Sequence, residues 1–210
     1  MSRNAGGEER RAAIIQAAVQ VLARDGLAET TTRKIASEAH VNQAMIGYYF
    51  GGKDELLYAV LQDMMRRTGE IIGATAPLDR GFAEAVAAAI EAFWEHVRQA
   101  PELQVLQYEL TLYALRRPES AWLAKRQYEG YCGIVAQLIE AVCVATNTTT
   151  AQPPEAIARF IVGGLDGMIL QFISTRDTER AQQDLQQLIA ATQMLSLSQH
   201  DDVSTRAGSE

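Results

Sequence analysis

Cysteine, histidine and net positive charge are all scarce in this chain, and each scarcity excludes a class of function. There are two cysteines and three histidines in 210 residues. Cys132 and Cys143 lie about three helical turns apart in one apolar pattern, too far to bridge. They form no CxxC pair and no cluster with His40, His96 or His200, so the reading is buried, reduced thiols and no metal site. No P-loop, dinucleotide fingerprint or nucleophile elbow occurs, so neither a catalytic residue nor a cofactor is expected. No stretch reaches about 18 apolar residues without a charge. The opening "MSRNAGGEERR" has no apolar run for a signal peptide. These absences predict a cytoplasmic chain with no membrane partner. A formal net charge of -7 argues against a general nucleic-acid coat.

The charge is unevenly spread. Residues 1–60 carry seven Lys/Arg and seven Asp/Glu and so balance, and the negative charge comes from the rest. A polyanion can approach the N-terminal quarter most easily.

Alternating strand patterns are missing too. Apolar residues recur at helical spacing along almost the whole chain, which predicts an all-α fold. A first helix through Ile14, Ala17, Ala18, Val21 and Leu22 stops at Asp25-Gly26, a C-cap pair. Asp54 opens another helix, and "GATAPLDRG" (73–81) reads as a linker. Later breaks fall at Ala100-Pro101, at "RRPES" (116–120) and at "ATNTTTAQPP" (145–154). They separate helices predicted to begin near Phe82, Leu103, Ala121 and Pro154, with a last one carrying Leu185, Leu188, Ile189 and Leu195.

Between the first helix and Asp54, "TTRKIASEAHVNQAMIGYYFGGKDELL" (31–57) reads as two very short helices and a turn. Short helices nucleate poorly and need neighbours to hold them. With Thr32 as N-cap, Ile35, Ala36 and Ala39 face inward, "HVN" makes the turn, and the second helix runs from about Gln43 to Tyr49. This is a helix-turn-helix, whose second helix needs only two turns to probe a DNA major groove. Gln43 can pair with an adenine edge, and Ala44 and Met45 can touch a thymine methyl. Thr32, Arg33, Tyr48, Tyr49 and Lys53 are candidate phosphate contacts, with Arg33 also able to reach a guanine.

The ordered set of Gly26, Thr31-Thr32, Ile35-Ala36, Val41, Tyr49-Phe50 and Lys53-x-x-Leu56 resembles the TetR family of bacterial one-component transcriptional regulators. More loosely, it is similar to the choline-responsive repressor branch. Many members carry a phosphate-contacting Tyr at the position held here by Gly47, so Tyr48 is expected to carry more of that contact. The resemblance implies a three-helix DNA-binding domain (1–55) and a larger helical ligand-binding and dimerisation domain (56–197). A disordered tail is expected at 198–210. It also implies a homodimer on a pseudo-palindromic double-stranded operator, released by a small-molecule inducer.

The resemblance places an inducer pocket in the second half, where aromatics crowd. Candidates are Phe93, Trp94, Tyr108, Glu109, Tyr113, Trp122, Gln127, Tyr131 and Asp166. As core, the aromatics need no further role; as pocket walls they would suit an aromatic ligand, and the carboxylates a cationic one. The helices near 121–144 and 155–175 are apolar on more than one side. Ile134, Leu138, Phe160, Gly163, Gly167 and Leu170 are the candidate dimer interface, the two glycines permitting close helix approach.

Overall fold

A computed structural model describes residues 2–196, with side chains from residue 6 onward. The tail expected at 198–210 lies outside these residues. Nine α-helices and two 3-10 turns make up the described chain, with no strand among the described residues, as the all-α reading predicts. They are α1 (Ser2–Glu29), α2 (Thr32–Glu38), α3 (Ala44–Phe50), α4 (Lys53–Thr75), α5 (Phe82–Gln99), α6 (Pro101–Leu115), α7 (Ala121–Thr146), α8 (Pro154–Thr175) and α9 (Thr178–Ser196). The 3-10 turns are Leu78–Arg80 and Pro118–Ser120. Thus the segment expected as a linker is partly helical.

The breaks follow from backbone chemistry. Gly26 takes φ 76° and ψ 164°, which ends the helical run of α1 where Asp25-Gly26 predicted it. Thr30 Oγ1 then donates to the Gly26 carbonyl at 2.7 Å. Pro101 and Pro154 start α6 and α8, where no backbone donor is needed.

The chain divides into two compact units: Met1–Thr68 with Val97–Glu129, and Gly69–His96 with Gly130–Glu210. The first has a continuous core of α1 residues (Ile14, Ala18, Val21, Leu22) with Ile35, Ile46, Phe50, Leu56, Leu57, Leu61, Leu106, Leu110 and Leu123. Full burial of each large apolar side chain contributes about 1.5–3 kcal/mol, which outweighs the poor nucleation of α2 and α3.

In the second unit, Ile72, Ala85, Ala89, Leu138 and Val142 form a smaller core with Phe82 and Ile134. Trp94 meets Phe172 edge-on at 5.3 Å. The close approach of α8 and α9 uses Gly164, where an added Cβ would lie 2.6 Å from Leu188 Cδ1. A Cβ added at Gly163 or Gly167, the two glycines expected at a dimer interface, would meet nothing within 4 Å in the single chain. The thiols differ from expectation: Cys132 and Cys143 are free but only half-buried. Burial pushes the Cys132 thiol up, against the pull of Arg159 and with the help of Asp166.

Two segments, Pro118–Thr146 and Pro154–Thr175, are long and apolar enough to cross a membrane by length and composition, with mean hydropathy 1.2 and 1.6. Neither is an uncharged run, since Lys125, Arg126 and Glu129 interrupt the first and Glu155, Arg159 and Asp166 the second.

Candidate nucleic-acid interface

The turn between α2 and α3 is held by backbone bonds. Val41 N–H donates to the Ala36 carbonyl at 3.0 Å and His40 N–H to the Ser37 carbonyl at 3.2 Å, the pair that defines a Schellman motif. That motif needs one left-handed residue, and His40 takes the position at φ 52°. Asn42 Oδ1 accepts the Ala44 N–H at 2.9 Å and starts α3. The α2 cap is Thr31, not the expected Thr32: its Oγ1 accepts Lys34 N–H at 3.2 Å. The shift by one residue frees the Thr32 hydroxyl, which accepts Gln43 Nε2–H at 2.9 Å.

Ile46 and Phe50 anchor the inner face of α3, and Arg11 stacks its guanidinium 5.1 Å from the Phe50 ring centre. The outer face presents Gln43, Ala44, Gly47 and Tyr48 to solvent. Tyr48 is 80% exposed, the extreme among the aromatics, and stands edge-on to half-buried Tyr49 at 5.1 Å. Met45 is half-buried against the core. A Cβ on Gly47 would meet nothing within 4 Å. Arg33 and Lys53 are exposed. Between α1 and α2, Asp25 accepts from Arg24 at 2.9 Å and Lys34 at 3.1 Å, while Arg24 also reaches Glu38 at 3.1 Å. The Arg24 and Lys34 hydrogen bonds hold the Asp25 carboxyl below its usual range.

Two carboxylates tie this reading head to the rest of the first unit. Asp54 accepts Tyr113 O–H at 2.8 Å and Ser120 Oγ–H at 2.5 Å. Burial, and then the Asp54 contact, push the Tyr113 phenol up, so it stays a donor. Lys53 Nζ lies 5.5 Å and the Arg117 guanidinium 4.2 Å from the Tyr113 ring centre. Glu109 Oε2 accepts the Leu27 N–H at 2.8 Å, immediately after the Gly26 break. A third carboxylate, Asp63, accepts Gln16 Nε2–H at 3.0 Å and pairs with Arg66 and Arg67.

The residues singled out for an inducer fall in both units. Tyr108, Glu109, Tyr113, Trp122 and Gln127 lie in the first, and Phe93, Trp94, Tyr131 and Asp166 in the second. Trp122 meets Tyr58 edge-on at 5.2 Å, with the Arg126 guanidinium 5.4 and 5.6 Å from the two rings. Gln127 is fully buried and its Oε1 lies 3.0 Å from Thr111 Oγ1. Gln104, Gln107 and Thr111, which sequence reasoning passed over, are buried on α6. Their signal is three polar residues at helical spacing, each directly after Leu103, Leu106 or Leu110. A separate opening of about 410 Å³ at the α8–α9 junction is bordered by Phe172, Asp177, Arg180 and Asp184. None of the candidate inducer residues lines it.

Of the candidate dimer residues, Leu138 is buried within its own unit and Ile134 half-buried. Phe160, Gly163, Gly167 and Leu170 lie exposed along α8, and Met194 and Leu195 on α9 are also exposed.

Comparisons with known proteins agree with this architecture. Residues 14–60 match the family described as bacterial regulatory proteins, tetR family, and residues 80–193 match a tetracyclin repressor-like C-terminal domain. The chain is 30% identical over 171 residues to the nicotine-responsive repressor HdnoR of Paenarthrobacter nicotinovorans, covering 79% of this chain and 84% of that one. It is 32% identical over 124 residues to the regulator BetI of Brucella suis, 51% of this chain and 61% of the relative. The multidrug binding protein EbrR, crystallised with imidazole, superposes with a TM-score of 0.62 at 30% identity, over 85% of this chain and 94% of that one. With a helix-turn-helix built as described and both halves matched, this chain belongs to the TetR family and is a ligand-responsive transcriptional regulator.

Proposed function

We propose that the chain represses transcription as a homodimer bound to a pseudo-palindromic operator, and that a small organic inducer releases it. The observation that carries the DNA reading is the outer face of α3. Gln43 is preset by Thr32, Tyr48 is exposed, and the helix behind them is fixed by buried Ile46 and Phe50. In this reading Gln43, Ala44 and Met45 meet base edges. Thr32, Arg33, Tyr48, Tyr49 and Lys53 hold the backbone, and Gly47 lets α3 sit close to the duplex. The DNA-binding domain is residues 1–55 and the effector and dimerisation domain 56–197.

Exposed Phe160, Gly163, Gly167 and Leu170 on α8, with apolar α9 residues, support pairing of two copies. Ile134 and Leu138 would back that surface. A two-fold pair sets the α3 helices about 34 Å or a small multiple apart. HdnoR is described as nicotine-responsive and EbrR was crystallised with imidazole and with ethidium, which supports an organic effector here. On sequence grounds that effector is aromatic or cationic. It would act by binding the non-reading conformer more tightly. Catalysis has no part in this reading, and the site of action is the bacterial cytoplasm.

Selection from random duplex DNA with the purified chain tests the proposal. It should enrich one pseudo-palindrome whose half-sites are a helical turn or a small multiple apart. Enrichment of no motif, or of a single asymmetric half-site, would count against it.

A further inference from the structure

Lys53 opens α4 shortly after Phe50 ends α3, and Arg117 lies in the short link between α6 and the Pro118–Ser120 turn. Both belong to the first compact unit. Lys53 falls in the part matched to the family's N-terminal domain, and Arg117 in the part matched to its C-terminal one. One side chain brings them together. Lys53 Nζ lies 5.5 Å and the Arg117 guanidinium 4.2 Å from the centre of the Tyr113 ring, so the two charges are within about 10 Å of each other. The ring is itself fixed. Tyr113 O–H donates to Asp54 Oδ1 at 2.8 Å, and Ser120 Oγ–H occupies the other carboxylate oxygen at 2.5 Å.

The two cations are exposed and lack a counter-charge. In the same unit Arg24, Lys34, Arg66 and Arg67 each pair with a carboxylate. Among the described residues Lys53 and Arg117 pair with none. Asp54 has both oxygens occupied by hydroxyls. Glu55 and Glu119, two residues further along the chain from each cation, are exposed and bonded to neither. Like charges set on one ring repel, and an anion beside them reverses the sign of that energy. A nucleic-acid strand carries a phosphate about every 3.4 Å along its axis, so two successive phosphates fall within the span of the pair. The guanidinium can grip one phosphate through two parallel N–H donors, while the ammonium meets another as a point charge. Because the ring already restrains both side chains, less entropy is lost when they bind.

We propose that Lys53 and Arg117, set on the Tyr113 ring, form a two-phosphate clamp on the operator backbone. Through Arg117 the C-terminal part of the chain holds DNA directly, outside the helix-turn-helix. This rests on the reading of α3 as the operator-binding helix and adds a second place where the duplex is gripped.

The test is fluorescence-polarisation binding of the full chain to the duplex enriched by selection, across a salt series. Wild type is compared with Lys53→Ala, Arg117→Ala, Arg117→Lys and the double alanine variant. Arg117→Ala should weaken binding about fivefold or more, by the same factor on the enriched duplex and on unrelated duplexes, since a phosphate carries no sequence. Its log–log salt slope should be shallower by about 0.9 for each phosphate that a protomer no longer neutralises. Arg117→Lys keeps the charge and should keep the wild-type slope. The double variant should lose the slope of both single variants together, because each cation takes its own phosphate. Weaker binding of Arg117→Ala at the wild-type slope would overturn the proposal and would assign Arg117 to holding Tyr113 and Asp54 in place. Unchanged affinity would overturn it as well. Tyr48→Ala in the same series keeps the two readings apart. If it abolishes selective binding while Arg117→Ala changes nothing, the clamp fails and the operator reading stands. If no duplex is bound selectively, both fail.

Discussion

Glu109 Oε2 accepts the Leu27 backbone N–H at 2.8 Å, at the residue where Gly26 has just turned α1 out of the helical region. The bond joins the end of the longest helix of the reading head to the middle of α6, the helix that also carries Gln104 and Thr111. Removing the carboxylate leaves a half-buried donor unpaired, which costs about 1–3 kcal/mol. Glu109→Ala should therefore lower the thermal midpoint by several degrees, and Glu109→Gln, which keeps an acceptor, by less. Equal midpoints for wild type and Glu109→Ala in a calorimetric scan would contradict this.

His40 occupies the left-handed position of the Schellman turn at φ 52°. A residue with a Cβ is strained there by about 1 kcal/mol, and glycine is not. His40→Gly should stabilise the chain slightly despite its greater unfolded-state entropy, and His40→Val should destabilise it by more than 1 kcal/mol, roughly. Urea denaturation of the three proteins decides the order.

Gly47 lies within α3 with open space where a Cβ would be. Alanine is favoured over glycine in a helix by about 1 kcal/mol. Gly47→Ala should thus raise stability by up to that amount. A loss of stability would mean that Gly47 has a backbone role that its helical conformation does not show.

What could be read from the sequence depended on what each residue touches. The helix-turn-helix was readable because Ile35, Ala36, Ile46 and Phe50 repeat at the period of the surface they bury, and because Gly26 marks the required break. The cap slipped by one residue because Thr31 and Thr32 are both good caps. Only the extended backbone of Thr31 (φ -121°) decides between them, and this in turn sets the Thr32–Gln43 bond. Within the chain the close approach to α9 falls on Gly164, between the two glycines expected at the dimer interface, since which side of α8 faces α9 is settled by tertiary packing. Glu109 stands among aromatics in the sequence, and its backbone partner Leu27 is 82 residues away, so the bond has no local signal. Gln104 Oε1 and Gln127 Nε2 are buried without a partner among the described residues, which depends on what α6 and α7 fail to offer each other and which no single-helix pattern displays.

Asp63 gives a pH signature. Burial alone would raise its carboxyl, but hydrogen bonds from Arg66 and Gln16 and the charge of Arg67 outweigh it and hold the group below its ordinary value. A carboxyl depressed in the folded state adds stability that is fully present above its unfolded pKa, near pH 4, and is lost as pH falls through the lower folded value. Stability should decline below about pH 4, and Asp63→Asn should flatten that part of the decline while lowering the plateau above it. Parallel acid limbs for the two proteins would contradict the assignment.

If the outer face of α3 and the start of α4 hold DNA, binding must depend on Tyr48 and Lys53. Fluorescence-polarisation binding to DNA flanking the gene, recorded across a salt series for wild type, Tyr48→Ala and Lys53→Ala, measures this. Tyr48 is 80% exposed, so its loss should leave the thermal midpoint unchanged. Wild type should bind tightly and sequence-selectively, and both variants more weakly. The log–log salt slope of Lys53→Ala should be shallower by about 0.9 for each phosphate that a protomer no longer neutralises. Weak binding that is equal for all three proteins, with one common slope, would contradict a DNA-holding role for this face.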